Sequence, residues 1–312
     1  MGRMRRAARF AIGLGAVLAV GHASGVLQGQ EPPHAEETPP VLPDTRAFLD
    51  EVRQNLRSDN ALMEQYTFTE TFTEKRLDGK GGVKKTKVET YEVYPSAQAG
   101  RLYRRLVERD GKRLSEGELA DQDRKQEEKT ERRAQRRANE DEAARQKRLA
   151  KEAENRREEQ AVVDEVFRMD DIRVERREMV DGRPTIVLSF APLTGFKPET
   201  DGGKVIQKLA GEAWIDEEDR QLVRLEVRLL DTLGVGPVKV ARLQIGSTGY
   251  FQRRKVNGEI WLPSEARFTG AAKVLLVFGS RIDVLSRYSD YKKFSVGTEV
   301  EVQPGAAPDA SR

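Results

Sequence analysis

The chain opens on an apolar stretch, passes through a polar one, and then shows two clear periods. After Asp44, residues Phe48, Leu49, Val52 and Leu56 follow at helical spacing, and Leu62 and Met63 continue the apolar set. This predicts a helix over 45–63 with Asp44 as its N-cap. The period then drops to two. In Tyr66–Glu74 the even positions run Tyr, Phe, Glu, Phe, Glu, and the odd positions are all Thr. Aromatic residues and Thr at that spacing are strand residues. In 221–230, Val223, Leu225, Val227 and Leu229 alternate with Arg224, Glu226 and Arg228, the pattern of an antiparallel sheet with one buried and one wet face. Segments 238–252, 260–269, 272–279 and 281–291 continue the series. The dipeptides Asp78-Gly79, Asp110-Gly111, Asp181-Gly182 and Asn257-Gly258 supply hairpin turns. Two of them join runs that both read as strands, 172–180 with 184–191 and 250–256 with 259–268. Asp110-Gly111 ends a strand and leads towards a helix. No strand–helix–strand rhythm occurs, which excludes a doubly wound parallel sheet. The pattern predicts an α+β, mainly β chain, with about ten strands in one curved antiparallel sheet.

Residues 115–160 interrupt that sheet. Ser115 and Glu118 have the spacing of a capping box. From Asp121 to Gln160 no aromatic or β-branched aliphatic residue occurs, and Leu149 is the only large apolar one. Acidic residues stand four positions before basic ones at Asp121/Lys125, Glu128/Arg132, Asp141/Arg145 and Glu152/Arg156. Each such pair contributes roughly 0.2–0.5 kcal/mol to a helix. A helix polar all round buries no face and lives on such pairs. If continuous it would reach on the order of 60 Å; one helix, two helices and disorder all remain open. Arg132, Arg133, Arg136 and Arg137 form a basic cluster, a candidate contact for envelope proteins or an anionic membrane surface. Val162, Val163, Val166, Phe167 and Met169 restore an apolar stripe that should pack on the sheet.

The N-terminus explains the first apolar stretch. Arg3, Arg5, Arg6 and Arg9 precede a short apolar run from Ala11 to Val20, and Gly21, His22 and Ala23 follow. That is the order of a cleaved signal peptide, expected over 1–23, and it implies a periplasmic or secreted protein. The run is short of the roughly 20 residues a membrane span needs. Residues 24–43, rich in Pro and Glu, read as a disordered linker. A domain is expected over 44–299, with the charged insert at 115–160 and a disordered tail at 300–312.

Composition removes most chemistry. Of 312 residues none is cysteine, and the two histidines, His22 and His34, fall in the leader and the linker. A lipid-anchored lipoprotein, a disulfide framework, a Ser–His or Cys–His nucleophile and a zinc site each lack their residues. No phosphate-binding glycine loop is present. The net charge of +3 draws the chain to no nucleic acid. Asp216-Glu217-Glu218-Asp219 is the densest acidic cluster outside the insert, but a hairpin between Trp214-Ile215 and Leu222-Val223 needs a polar turn there. No cofactor, metal or catalytic residue is assigned, and no enzymatic function is expected. The residues left as candidates are apolar ones on strands: Phe68, Phe72, Trp214, Leu225, Trp261 and Phe268.

Two stretches carry a family resemblance: GEAWIDEEDRQLVRLEVR over 211–228, and VNGEIWLPSEARF over 256–268. A W-I-D…L-V-R-L-E hairpin followed by an N-G-x-x-W-L-P hairpin resembles the superfamily of outer-membrane lipoprotein carrier or sorting proteins (LolA-type), which also includes sensor domains of the RseB type. The helix leading into Tyr66–Glu74 fits the same layout, so the resemblance spans about 45–110 and 160–295. It implies an unclosed antiparallel barrel with helices plugging the concave side, a periplasmic location, and binding of lipid or lipoprotein acyl chains against that side. The charged insert departs from the carrier pattern. The alternative is an envelope interaction or sensor protein that binds a protein partner through the charged helix.

Overall fold

Asp44 begins the first helix as the spacing predicts. Its carboxylate accepts a hydrogen bond from the Ala47 amide at 2.9 Å, and α1 runs Thr45–Asn55. The computed structural model describes residues 41–55, 65–95, 102–235, 241–274 and 278–293. The expected leader, most of the linker, the 56–63 part of the predicted helix and the tail at 300–312 lie outside the described residues.

Among the described residues thirteen strands, paired antiparallel, form one sheet. They are β1 (Tyr66–Leu77), β2 (Val83–Pro95), β3 (Leu102–Arg109), β4 (Lys112–Arg113), β5 (Asp170–Val180), β6 (Arg183–Pro192), β7 (Leu209–Asp216), β8 (Leu222–Leu229), β9 (Leu233–Val235), β10 (Ala241–Leu243), β11 (Thr248–Val256), β12 (Ile260–Val274) and β13 (Phe278–Lys293). About ten were expected. The additional ones, β4, β9 and β10, have two or three residues each, too few to show a period. The order is β4-β3-β2-β1-β13-β12-β11-β8-β7-β6-β5, with the β9–β10 ribbon attached to β12. Since β4 and β5 stand at opposite ends, the barrel is not closed. Register shifts interrupt several pairs, among them Gln252/Arg253 and Trp214/Ile215, and such bulges bend strands.

Turn chemistry works at the expected dipeptides. Asp110-Gly111, Asp181-Gly182 and Asn257-Gly258 all have positive φ, as a type I′ hairpin requires. Asp110-Gly111 joins β3 to the two-residue β4 before the chain turns helical, so it too is a hairpin. At Asp78 the device differs: the carboxylate accepts from the Lys80 and Gly82 amides, each at 2.8 Å, and Gly81 carries the positive φ.

The charged insert is two helices, α2 (Glu116–Ala138) and α3 (Glu142–Met169). The capping box at Ser115 and Glu118 is formed. Together they carry the chain from β4 at one sheet edge to β5 at the other. The base of α2 seals the free edge of β3. Gln122 Oε1 accepts from the Leu106 amide at 3.1 Å, and Gln122 Nε2 donates to the Leu106 carbonyl at 3.0 Å. One side-chain amide thus supplies both bonds a further strand would make, and leaves that edge position nothing to offer a second chain. Asp123 fixes the same turn through Arg105 at 2.8 Å and the Tyr103 hydroxyl at 3.0 Å.

The C-terminal turns of α3 return to the body. Phe167 packs with α1 residues Phe48 and Val52 against Ile186, Leu188 and Ile215. Glu165, fully buried, accepts from the Glu199 amide at 2.5 Å, the Thr200 amide at 3.2 Å and the Thr200 hydroxyl. It thereby clamps the loop that opens α4 (Asp201–Ile206). Gly203 lies so close to this carboxylate that a Cβ would sit 2.2 Å from it. No helix among the described residues is long and apolar enough to cross a membrane.

Candidate functional site

Residues paired directly across neighbouring strands share a face, so the register sorts the six apolar candidates. Leu225 pairs with Phe251, Phe251 with Ala266, Ala266 with Ser286, and Ser286 with Phe72. Phe268 stands one row along, paired with Gly249, which pairs with Val227. Phe68 precedes Phe72 on the same face of β1. Leu225 also pairs with Ala213 and that with Leu188, so the row continues under α1. These four candidates therefore share the helix-covered face.

Trp214 does not join them. It pairs with Val187 and Arg224, on the opposite face from its neighbour Ala213. Trp261 goes with it, in a cluster with Val180, Val187 and Val223. The register shift at Trp214/Ile215 leaves Val223 with Trp214 and turns Leu225 to the other face, whereas Trp261, seven residues before Phe268 on β12, faces away from it by alternation alone. Their indoles are engaged: Trp214 Nε1 donates to Glu178 at 2.7 Å, and Trp261 Nε1 to Asp219 at 2.7 Å. The Arg224 guanidinium stands 5.2 Å from the Trp214 ring.

The shared face has two characters. Around β1, β2 and β3 it is charged under its aromatic residues. Buried Glu70 pairs with Arg104 at 2.7 Å and accepts from the Ser286 hydroxyl at 3.1 Å. Arg104 lies 4.1 Å over the Tyr91 ring. Buried Glu89 accepts from Tyr91 at 2.6 Å and pairs with Lys87. Burial pushes its carboxyl up, but Lys87, Tyr91 and Arg109 outweigh that and hold it below its ordinary value. Alternation alone puts Glu70 on the aromatic face, between Phe68 and Phe72; the inward position of Glu89 comes only from its pairing with Phe72.

Towards β6, β7 and β8 the face is apolar to its rim. Leu209, Val227 and Leu229 are buried together, with half-buried Phe190, Leu225, Leu233 and Leu243 packed on them. The cluster reaches the β9–β10 ribbon through Leu233 and Leu243. Leu230 alternates with buried Leu229 and is 37% exposed, and Ile245, in the turn after β10, is 67% exposed. Gly211, in the middle of β7, lets β7 and β8 pack closely beneath the cluster, because a Cβ there would lie 1.8 Å from the Glu226 carbonyl oxygen.

The acidic turn is structural in its contacts. Asp216 is fully buried and held by Arg183 at 2.6 Å and by the Asp219 amide at 2.7 Å. Asp219 pairs with Lys255 at 2.7 Å. Asp216, Glu218 and Asp219 lie close enough to converge on a cation, but their charges already meet Arg183 and Lys255.

The basic cluster lies on α2, none of whose residues is buried. Arg132, Arg136 and Arg137 are exposed and Arg133 is half-buried. Arg132 reaches Glu128 at 3.8 Å. Two open grooves, about 450 and about 460 Å³, run along α3, lined by Ala144, Lys147, Arg148, Lys151 and Glu152 and by Glu154, Arg157, Glu158, Ala161, Glu199, Thr200 and Asp201. Neither is lined by a residue of the apolar cluster.

No protein-family profile and no curated protein matches the sequence. Solved structures do. A DUF1329 family protein from Desulfovibrio piger is 12% identical, with 81% of this chain and 93% of that one covered and a TM-score of 0.29. A LolA superfamily protein from Nitrosomonas europaea is 9% identical, over 81% and 94%, with a TM-score of 0.26. The MucA/MucB complex of Pseudomonas aeruginosa matches at 10% identity over 80% and 98%, with a TM-score of 0.21. These neighbours include the superfamily that the two hairpin motifs resemble. At such scores the likeness carries no argument about function, and the half-open sheet described above rests on its own strand pairings.

Proposed function

We propose that this chain is a non-enzymatic binding protein of the cell envelope that takes an apolar ligand, an acyl chain of a lipid or lipoprotein, on the helix-covered face of its half-open sheet. The apolar cluster of buried Leu209, Val227 and Leu229 with half-buried Phe190, Leu225, Leu233 and Leu243 carries the reading, and exposed Ile245 stands two residues beyond Leu243. Each methylene buried there would contribute about 0.8 kcal/mol. The charged region around Glu70 and Glu89 bounds the site, since an acyl chain gains nothing against a paired carboxylate. The leader expected over 1–23 supports the envelope location, and a fold without histidine or cysteine supports a binding role over a catalytic one.

The test is uptake of a fluorescent acyl probe. The intact chain should bind it and a competing unlabelled fatty acid should displace it. Leu225→Ser combined with Ile245→Ser should weaken uptake at least tenfold while circular dichroism stays unchanged. A folded protein that takes up no probe, or a double variant that binds as well as the parent, contradicts the proposal.

A further inference from the structure

The helix α2 does not distribute its charges evenly. At about 100° per residue, Lys125, Lys129, Arg132, Arg133, Arg136 and Arg137 all fall within an arc of about 140°. Glu127, Glu128 and Glu131 occupy the opposite side, with Arg124 the one cation among them, paired with Asp121 and Glu128. A helix merely kept in solution by i,i+4 pairs would mix the two signs around its circumference. Lys125 and Arg132 have side chains 68% and 66% exposed. Lys129, Arg136 and Arg137 are exposed and have no ion pair among the described residues. The base of the helix is fixed to β3 through Gln122 and Asp123; Gln122 lies near the middle of the basic arc, so the stripe continues, from the next turn on, the side of α2 that meets the sheet edge.

We infer that this stripe docks the protein flat onto an anionic phospholipid surface. Between Lys125 and Arg137 the basic arc holds no apolar or aromatic side chain, only Gln126 and Thr130 beside the cations. Protein interfaces draw their energy from buried aromatic and aliphatic anchors, and the stripe has none. A bilayer rich in anionic headgroups asks only for a row of accessible cations, each adding its own share of attraction. The stripe, about 18 Å long at 1.5 Å per residue, spans several headgroups. The acidic side of α2 then faces away from the bilayer. The inference stands on α2 alone and is independent of any ligand on the sheet.

Cosedimentation of the full chain with vesicles tests it. Binding is expected to vesicles of phosphatidylglycerol and phosphatidylcholine, absent with phosphatidylcholine alone, and weaker as salt rises. In the series Lys125→Gln, Lys129→Gln, Arg132→Gln and Arg136→Gln, partitioning should fall about fivefold for each cation removed. These side chains are exposed, so the fold survives the changes, which circular dichroism checks. The triple variant Glu127→Gln, Glu128→Gln and Glu131→Gln should bind no worse than the parent. Equal binding to both vesicle types overturns the inference. So does full retention in the quadruple variant, or binding to polyglutamate without binding to vesicles, which would assign the stripe to an acidic protein.

Discussion

Replacing Phe48 by alanine probes how α1 is held on the sheet. Phe48 is 3% exposed and packs with Val52 against Ile186, Leu188 and Ile215. Burying an aromatic side chain removes about 150–250 Å² from water, which at about 25 cal/mol per Å² amounts to about 4–6 kcal/mol. Alanine keeps a small part of this, and measured Phe→Ala losses run about 3–5 kcal/mol. The polar ties of α1 do not compensate. Arg53 meets Asp164 at 2.8 Å and Arg220 meets Glu51 at 2.6 Å, but such half-exposed pairs are worth at most about 1 kcal/mol each. The loss exceeds what the remaining anchors of an eleven-residue helix supply, so α1 should undock before the sheet melts. The assay combines urea unfolding with amide hydrogen exchange. Phe48→Ala should cost about 3–5 kcal/mol or, if α1 opens locally, strip protection from residues 45–55 while β6 and β7 keep theirs. Loss of α1 uncovers Ile186, Leu188 and Ile215, so binding of an apolar dye should rise. A cost under about 1 kcal/mol with α1 amides still protected would refute the packing argument.

Two further changes act through the backbone and through protons. Gly211→Ala should prevent normal pairing of β7 with β8, because its Cβ would sit 1.8 Å from the Glu226 oxygen; soluble yield and the thermal transition should both collapse, and a near-parental melt would contradict this register. Glu165 and Asp216 have their carboxyls held below ordinary values. In each, burial pushes the value up, but hydrogen bonds from Thr200 and the Glu199 amide, or from Arg183 and the Asp219 amide, outweigh it. A folded-state value below the unfolded one gives stability that is present above about pH 4.5 and is lost as pH falls through the folded value. Stability should therefore drop as pH falls below about 4.5, and Glu165→Gln should flatten that slope while lowering stability at pH 7; a slope unchanged in the variant would remove Glu165 from the account.

The elements were legible where the chain repeats a local rule. Thr at every odd position of 67–73 announces β1, Asp181-Gly182 and Asn257-Gly258 place two hairpins, and Ser115 with Glu118 starts α2 where the capping box predicts. The helix break at Asn139-Glu140-Asp141 was not legible, since those residues differ little from the charged sequence around them. The division of the six apolar candidates between two faces was legible only in part. Alternation assigns faces only until a bulge, and the shift at Trp214/Ile215 parts Trp214 from Leu225; Trp261 and Phe268, an odd number of residues apart on β12, are parted by alternation itself. The buried pair Glu70–Arg104 joins residues 34 positions apart in sequence, on β1 and β3, that approach across β2; nothing local to either residue signals it.

Mass spectrometry of the organic extract from protein purified without detergent from its native envelope tests the central claim most directly. The account predicts an acyl species in stoichiometric amount, depleted in the Leu225→Ser, Ile245→Ser double variant. An extract free of any such species, from protein that is folded and carries no acyl chain, would contradict it.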